Sequence, residues 1–275
     1  MQRIGILYNP LSEETSLRAN QIADWLEQRG IATWCGVSHD AREDPALVKG
    51  CDLLLSLGGD GTILRAARLA VPNDVPLLPV AMGHLSFMAE IEPGAAIEVL
   101  ERILTGDYWV EERTLADVTL HRAGVVIGHW TALNEMLITR ADMVRAVVIE
   151  VLIDGTPMTT YHADGIIVAT PTGSTAYALA AGGPVLDPRS RSLALVAVAP
   201  HLTSIPSLVL HETTEISLRL QSWYPTALAI DGQTSVPLEE QDLIVVHRAQ
   251  TVARFARISA ASSWYQNLTQ RLRRV

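Results

Sequence analysis

The sequence predicts two domains: an N-terminal α/β domain built as three layers around a parallel sheet, then an all-β sandwich domain. Up to about residue 107, apolar strand-like segments alternate with segments of helical periodicity, the pattern of a parallel sheet covered by helices. Beyond that point, strand-like segments follow one another with turn residues between them. A length of 275 residues also suits two domains better than one. We therefore predict domains over residues 1–110 and 111–260 and a C-terminal helix over 261–275.

The first domain opens with a strand over residues 3–8 and a helix over residues 15–29. A buried apolar run precedes apolar residues at helical spacing, and Gly30 marks the end of the helix. The same alternation then continues to residue 104. It predicts strands over 31–37, 51–57 and 76–81 and helices over 63–69 and 95–104.

The second domain is predicted to be rich in strands, with one helical insertion over residues 175–181. The final helix is expected over 262–273, where Trp264, Leu268 and Leu272 recur at i, i+4 and i+8. The predicted strands cover 115–122, 125–139, 144–153, 165–169, 193–199, 207–210, 215–220, 227–230, 243–248 and 253–258.

Composition and charge exclude several classes of protein. Hydrophobic residues make up 48% of the chain, enough for a real core, and no apolar run approaches the roughly 20 residues of a membrane-spanning helix. The formal net charge of −9 argues against nucleic acid as the main partner. The N-terminus runs directly into a strand without the pattern of a secretory signal, so we expect a cytoplasmic protein.

Lysine is nearly absent, which narrows the enzyme classes further. Of the 21 basic residues only Lys49 is a lysine, and its surroundings match neither a GxxxxGK[ST] phosphate loop nor a protein-kinase VAIK strand. If this chain handles phosphate, it must use backbone amides, hydroxyls, arginine and metal. The histidines and cysteines show no metal-ligand spacing, so no metal ligand is assigned.

The strongest local signal is an apolar strand followed by the glycine turn 58–61 and a helix. Such a junction directs free backbone amides toward an anion. Asp60 stands within the turn, where a carboxylate would repel phosphate unless it meets a cation or accepts a proton. Kinase chemistry needs both functions, because an attacking hydroxyl must lose a proton and a metal must neutralise phosphate charge. The alternative is that Asp60 only caps the helix.

A second strand, turn and helix pattern begins at Asp164 and ends at the glycines 182–183. Thr172, Ser174 and Thr175 offer hydroxyls there, and the helix that begins near Thr175 offers amides to the polar edge of a nucleotide. The alternative is an ordinary serine or threonine helix cap with a Gly-Gly stop, and both interpretations can hold together.

Asn134 and Glu135 place an amide and a carboxylate side by side in an otherwise apolar strand. A ribose diol would satisfy the pair, because Glu135 accepts from hydroxyls while Asn134 donates and accepts. A structural hydrogen-bond network is an equally good explanation.

The segment 230–233, Ile-Asp-Gly-Gln, indicates an Asp-Gly hairpin turn between two strands. On the residues alone, this structural interpretation is favoured over a binding role.

In order along the chain, GGDGT after a strand, the NE pair, DGxxVxTPTGSTAY with a following AGGP, and a late DGQ resemble the bacterial ATP-NAD kinase family. The resemblance runs over essentially the whole chain. It implies the NAD kinase/diacylglycerol kinase-like fold, an active site between the domains and last residues that return to the first domain. It also implies phosphorylation of the adenosine 2′-hydroxyl of NAD by ATP or another phosphate donor, with a divalent metal, expected to be Mg²⁺, to give NADP.

The same resemblance implies roles for individual residues. Asp60 would accept the proton of the adenosine 2′-hydroxyl, and Gly61 would lie against the dinucleotide. Asn134 and Glu135 would bind the nicotinamide-side ribose or its neighbourhood. The other substrate-binding residues that it implies are Arg145, His162, Asp164, Thr175, Ala176, Tyr177, Ala178, Leu179, Ala180 and Gln233.

The chain departs from the family pattern in three places. His162 stands where an arginine is frequent, residues 81–87 read AMGHLSF in place of NxGxLGF, and the late aromatic pair is Trp264 and Tyr265. The first two departures leave open whether the donor is ATP or polyphosphate.

Two other functions are kept as alternatives: a lipid kinase that shares the GGDG turn, and a non-catalytic sensor of NAD(H) or NADP(H). A lipid kinase should lack the TPTGSTAY segment, which this chain has. The many strands of the second domain must have their edges paired or covered, and the related kinases are dimers or tetramers. We therefore expect a homodimer or homotetramer.

Overall fold

The computed structural model describes residues 1–38, 44–83, 86–141, 145–201 and 205–272. The chain divides into two compact units, Met1–Glu112 with Ala253–Val275, and Arg113–Val252. Residues 253–260, assigned above to the sandwich, therefore belong to the first unit. Within the described ranges, no helix is both long enough and apolar enough to cross a membrane.

The first unit is an α/β structure. Its strands and helices are β1 (Arg3–Tyr8), α1 (Glu13–Glu27), β2 (Ala32–Val37), β3 (Leu53–Gly58), α2 (Asp60–Ala70), β4 (Leu77–Ala81) and α3 (Ala96–Leu104). The start of β5 (Trp109–Arg122), the end of β16 (Leu243–Arg257) and α5 (Ser263–Leu272) complete it.

The sheet of the first unit is parallel, as predicted. Its order is β2-β1-β3-β4, and the end of β16 joins it where Phe255 pairs in parallel with Leu77. All six residues of β3 are buried, which is typical of a central parallel strand. Helices α1 and α3 bury Ile22 and Leu100 in one core with residues of β1 and β3.

The second unit is a β-sandwich, which confirms the predicted fold class. Its further strands are β6 (Val125–Ala132), β7 (Glu135–Arg140), β8 (Val147–Ile153), β9 (Thr156–Ala163), β10 (Gly165–Ala169), β11 (Leu193–Val198), β12 (Leu208–Leu210), β13 (Ile216–Leu220), β14 (Thr226–Ile230) and β15 (Thr234–Leu238). A 3₁₀ turn over Gly173–Thr175 and α4 (Tyr177–Ala180) form the helical insertion.

Two antiparallel sheets enclose the core of this unit. One has the order β16-β13-β8-β9, with β5 paired to β16 and to β6, and the other has the order β12-β11-β10-β7-β14-β15. The largest buried cluster takes Ile149 and Leu218 from the first sheet and Ile138 and Val168 from the second. Alternate residues of each strand thus form the shared core.

Several strand predictions differ from the structure. Strands β9 and β15 were missed, and both are edge strands that contain a proline, Pro157 and Pro237, which weakens the strand pattern. The predicted strand 125–139 is two strands, β6 and β7, and the two predicted strands after residue 243 are one. Some of the predicted positions lie outside the described residues. They are residue 144 at the start of one predicted strand, residues 84–85 of the divergent segment and residue 273 of the final helix.

A buried ion pair connects the two segments of chain that build the first unit. Arg257 on β16 lies 2.8 Å from Glu111 on β5, and their side chains are only 6% and 8% exposed. Arg257 also donates to the Met88 carbonyl oxygen at 2.9 Å. Each charge is therefore buried with a partner of opposite charge, and removal of one partner of a buried ion pair is costly.

We predict that Arg257→Leu lowers the free energy of unfolding by about 3–5 kcal/mol, because it removes the cation paired with the buried Glu111 carboxylate. The double variant Arg257→Leu/Glu111→Leu should lose less. Arg254→Leu is the matched control, since Arg254 is on the same strand and pairs with Asp74 at an exposed position; its cost should stay below about 1 kcal/mol. Urea unfolding curves measure all three, and equal losses for Arg257→Leu and Arg254→Leu would contradict the prediction.

Candidate functional site

The glycine turn of the first unit places Asp60 at the start of α2. Gly59 occupies the N-cap position, so Asp60 is the first residue of the helix and not its N-cap. A Cβ at Gly58 would lie 2.4 Å from the Thr62 hydroxyl, whereas a Cβ at Gly59 would meet nothing within 4 Å. The turn is therefore tight on its Gly58 side and open at Gly59, next to the half-buried Asp60.

The Asp60 carboxylate accepts a hydrogen bond from the Ser86 hydroxyl through Oδ1. Sequence reasoning noted position 86 only as a departure from the family pattern and missed this contact. No local pattern connects two residues that stand 26 positions apart.

In the second unit, Asp231 organises the short break between β6 and β7. Its carboxylate accepts hydrogen bonds from the backbone amides of Leu133 at 3.0 Å, Asn134 at 2.7 Å and Glu135 at 3.1 Å. Asp231 also donates its own backbone N–H to the Glu135 carbonyl oxygen at 3.0 Å. Sequence analysis missed this role, because an Asp-Gly pair has the same appearance in any hairpin.

The segment after β10 holds the same break in place by other contacts. The Thr170 hydroxyl donates to the Leu133 carbonyl oxygen at 2.5 Å. The Thr170 backbone N–H donates to the Asn134 carbonyl oxygen at 2.8 Å. A Cβ at Gly173 would lie 2.0 Å from the Asn134 carbonyl oxygen, so only glycine fits there. The Asn-Glu pair, the TPTG segment and the DGQ turn, which are far apart in sequence, therefore meet in one cluster.

The buried Oδ1 of Asn134 and Oε2 of Glu135 in this cluster have no hydrogen-bond partner within the described residues. Burial raises the pKa of Glu135 from its ordinary value of 4.5 to about 8, and repulsion from Asp231 contributes to the shift. At neutral pH Glu135 is therefore largely a neutral acid that can donate as well as accept.

The hydroxyls of the TPTGSTAY segment are used mainly within the protein. Ser174 donates to the Pro171 carbonyl oxygen at 2.6 Å, Thr175 donates to that of Thr172 at 3.1 Å, and the Thr172 hydroxyl accepts from Arg113. Helix α4 begins at Tyr177, close to the predicted start near Thr175, and it has four residues and no side-chain cap.

The small residues of this segment differ in exposure. Ala178 is fully buried and packs in a core cluster with residues of β10 and β11, whereas Tyr177 is 44% exposed. Ala176 and Leu179 are half-buried, and Ala180 is exposed. The side chain of Ala178 therefore supports the fold, and any contact it makes with a ligand would be through its backbone.

Three further predicted site residues, Arg145, His162 and Asp164, each contact different groups of the protein. The guanidinium of Arg145 lies 4.6 Å from the ring centroid of Tyr224, as a cation–π contact. His162 is exposed on β9, and its carbonyl oxygen accepts from the His201 amide. Asp164 forms an ion pair with Arg140 at 2.9 Å, a partner that sequence reasoning missed.

Gln233 closes the hairpin between β14 and β15, as the turn pattern predicted. Its amide donates to the Ile230 carbonyl oxygen at 3.0 Å, and Asp231 and Gly232 have positive φ angles of 51° and 62°. No group of three or more His, Cys, Asp or Glu side chains within the described ranges is arranged to hold a metal ion.

Two solved structures with the same fold are kinases of nicotinamide dinucleotides. Yeast NADH kinase in complex with NADH has a TM-score of 0.82 at 23% identity, and the match covers 99% of this chain and 87% of that one. An NAD kinase from Archaeoglobus fulgidus in complex with ATP has a TM-score of 0.79 at 23% identity. The match covers 100% of this chain and 100% of that one.

Sequence comparison leads to the particular family. The ATP-NAD kinase N-terminal domain matches residues 39–108 and the ATP-NAD kinase C-terminal domain matches residues 133–258. The NAD kinase of Chloroflexus aurantiacus is 51% identical over 274 residues, which cover 100% of this chain and 99% of the relative. The chain belongs to the ATP-NAD kinase family, and the resemblance recognised from its motifs is confirmed.

The raised pKa of Glu135 predicts a specific dependence of stability on pH. The folded protein keeps a proton that the unfolded chain has lost, so this residue costs stability progressively as the pH rises from about 4.5 to about 8. Glu135→Gln removes the cost. Its free energy of unfolding relative to the wild type should therefore increase between pH 5 and pH 8, by a few kcal/mol in order of magnitude.

Glu240→Gln is the matched control, since it removes an exposed carboxylate from the same unit. Urea unfolding of the ligand-free proteins at several pH values measures the difference. A constant difference between Glu135→Gln and the wild type across this range would show that Glu135 is charged in the folded state.

Proposed function

We propose that this chain transfers the γ-phosphate of ATP to the adenosine 2′-hydroxyl of NAD with the help of a divalent metal, giving NADP and ADP. Conversion of NAD to NADP follows from membership of the ATP-NAD kinase family, and the match to both domains of that family favours it over a lipid kinase. The observation that carries the residue assignments is the half-buried Asp60 carboxylate beside an open glycine turn.

Asp60 serves as the proton acceptor in this proposal. The 2′-hydroxyl oxygen forms a bond to the γ-phosphorus while the bond from that phosphorus to the leaving oxygen of ADP breaks. The hydroxyl proton passes to the Asp60 carboxylate. Gly61 is exposed beside it, and a side chain at Gly59 would have open space, so the turn can approach a phosphate or ribose closely.

Asn134 and Glu135 bind a ribose of the dinucleotide in this proposal. Their buried Oδ1 and Oε2 atoms need partners that the described residues do not supply, and ribose hydroxyls can provide them. Asp231 and Thr170 hold the backbone of the pair, so the two side chains are oriented before the ligand arrives.

The remaining substrate contacts are assigned by family resemblance. Arg145 supplies a positive charge, and Asp164, already oriented by Arg140, lines the adenosine pocket. His162 takes a position where an arginine is frequent. The TPTGSTAY segment and the hairpin turn contribute Thr175, Ala176, Tyr177, Ala178, Leu179, Ala180 and Gln233.

A divalent cation, with Mg²⁺ as the proposed ion, accompanies ATP. Mg²⁺ is usually held by one or two carboxylates together with substrate phosphates, and the open turn beside Asp60 fits that arrangement. When bound, the ion neutralises charge on the phosphate oxygens. We also propose a cytoplasmic location and small molecules as partners; the net charge of −9 argues against nucleic acid.

The test is formation of NADP from NAD by purified protein with MgATP, for the wild type and for Asp60→Asn. The wild type should turn over, and the variant should keep its fold and bind NAD but lose turnover by about 10²–10⁴-fold, because an amide cannot take the proton. Asp107→Asn is the control, since it removes an exposed carboxylate of the same unit and should leave turnover unchanged.

Two results would overturn these assignments. Asp60→Asn with more than about a tenth of wild-type turnover would remove Asp60 from the role of base. Wild-type protein that binds NAD without converting it would favour the sensor alternative. Replacement of ATP by polyphosphate in the same assay decides the donor.

We further propose a homodimer or homotetramer held through the second unit. Strand β6 pairs only with β5 in the part of the chain that the structure describes, and Val125, Val126 and Ile127 are exposed on it. An apolar edge strand of this kind favours pairing with another copy. Light scattering coupled to size exclusion should give a multiple of 29.9 kDa. A fully active species at 29.9 kDa would contradict the proposal.

A further inference from the structure

We propose that Ser86 is a positioning residue that orients the Asp60 carboxylate for proton abstraction. This inference rests on the proposed function, because it concerns the same carboxylate. It comes from the contact of a serine that stands where the family pattern has glycine.

The Ser86 hydroxyl forms three hydrogen bonds, and in only one of them is it the donor. A serine hydroxyl has one proton to donate and two lone pairs to accept with. Oγ accepts from the Met88 amide at 3.0 Å and from the Ala89 amide at 2.9 Å, which occupies both lone pairs. The proton is therefore directed at Asp60 Oδ1, and with Ser86 only 3% exposed, water does not compete readily for it.

The segment that carries Ser86 is itself held firmly. Arg257 donates to the Met88 carbonyl oxygen at 2.9 Å and is paired with the buried Glu111. Two residues further on, the Glu90 carboxylate accepts from the Ile258 amide at 2.9 Å. Ser86 is thus connected through Met88 to the buried ion pair, and its position does not depend on the Asp60 side chain.

Orientation of the carboxylate matters because proton transfer depends on geometry. The terminal torsion of an aspartate side chain has a broad preference, so each donor held against the carboxylate narrows its orientation. A donor held in place at Oδ1 restricts that rotation before the substrate binds. The benefit appears in the chemical step, so loss of the hydroxyl should lower kcat more than it raises the KM of NAD or ATP.

The experiment is a double-mutant cycle of Ser86→Ala and Asp60→Asn, read as NADP formation with MgATP. Ser86→Ala alone should lower kcat by about ten-fold to a hundred-fold, the scale of one hydrogen bond to a charged group, with each KM changed less than about three-fold. In the Asp60→Asn background, Ser86→Ala should change the residual kcat less than about three-fold, because no carboxylate is left to orient.

The controls separate positioning from folding. Ser56→Ala removes another buried hydroxyl of the same unit, on β3, and should leave kcat unchanged. If Ser86→Ala fails to fold in thermal melts, Ser86→Cys keeps the shape with a much weaker donor and should show the same loss of kcat.

Three outcomes overturn the inference: full kcat in the folded Ser86 variant, an equal loss of kcat in both backgrounds, or a loss confined to KM. An inactive wild type would refute the proposed function instead, so the two failures are distinguished by the first measurement.

Discussion

The buried ion pair between Arg257 and Glu111 closes the first unit, and a chain of hydrogen bonds connects it to the glycine turn. The two residues are 146 positions apart, and the whole second unit lies between them in the chain. A loop of that length costs only slightly more entropy to close than a shorter one, because the cost grows with the logarithm of length. The Arg257–Glu111 ion pair, together with the pairing of Phe255 with Leu77, can therefore hold the end of β16 in the first unit. From Arg257 the connection runs through Met88 to Ser86 and so to the turn.

In the second unit a carboxylate has the corresponding role. Asp231 gathers amides that the gap between β6 and β7 would otherwise leave unpaired, and buried amides without partners are costly. The consequence falls on Glu135, where burial, with a further contribution from repulsion by Asp231, raises the pKa and favours the neutral carboxyl. The unit thus sacrifices some stability to keep two polar side chains buried and available, which is common at binding sites.

The fold could be predicted largely from local patterns, because periodicity records which residues face a core. The parallel sheet, the sandwich and the strand Gly165–Ala169 follow from apolar runs and turn residues. Edge strands β9 and β15 were missed because one side of such a strand needs no partner and tolerates proline. The glycine turn and the Asn-Glu pair were found as candidates from residue chemistry. Their supports, Ser86 and Asp231, depend on residues far away in the chain, and a single sequence carries no local signal of such contacts.

The absence of space at Gly173 has a consequence for the engineering of this enzyme. Its backbone lies directly against that of Asn134, so the two segments share one surface and neither can shift alone. A library that randomises the loop after β10 while keeping residues 133–135 would consist mostly of misfolded members. Substitutions that change substrate specificity are better placed at exposed positions such as Tyr177. Its side chain can be exchanged without disturbing the backbone contact between Gly173 and Asn134.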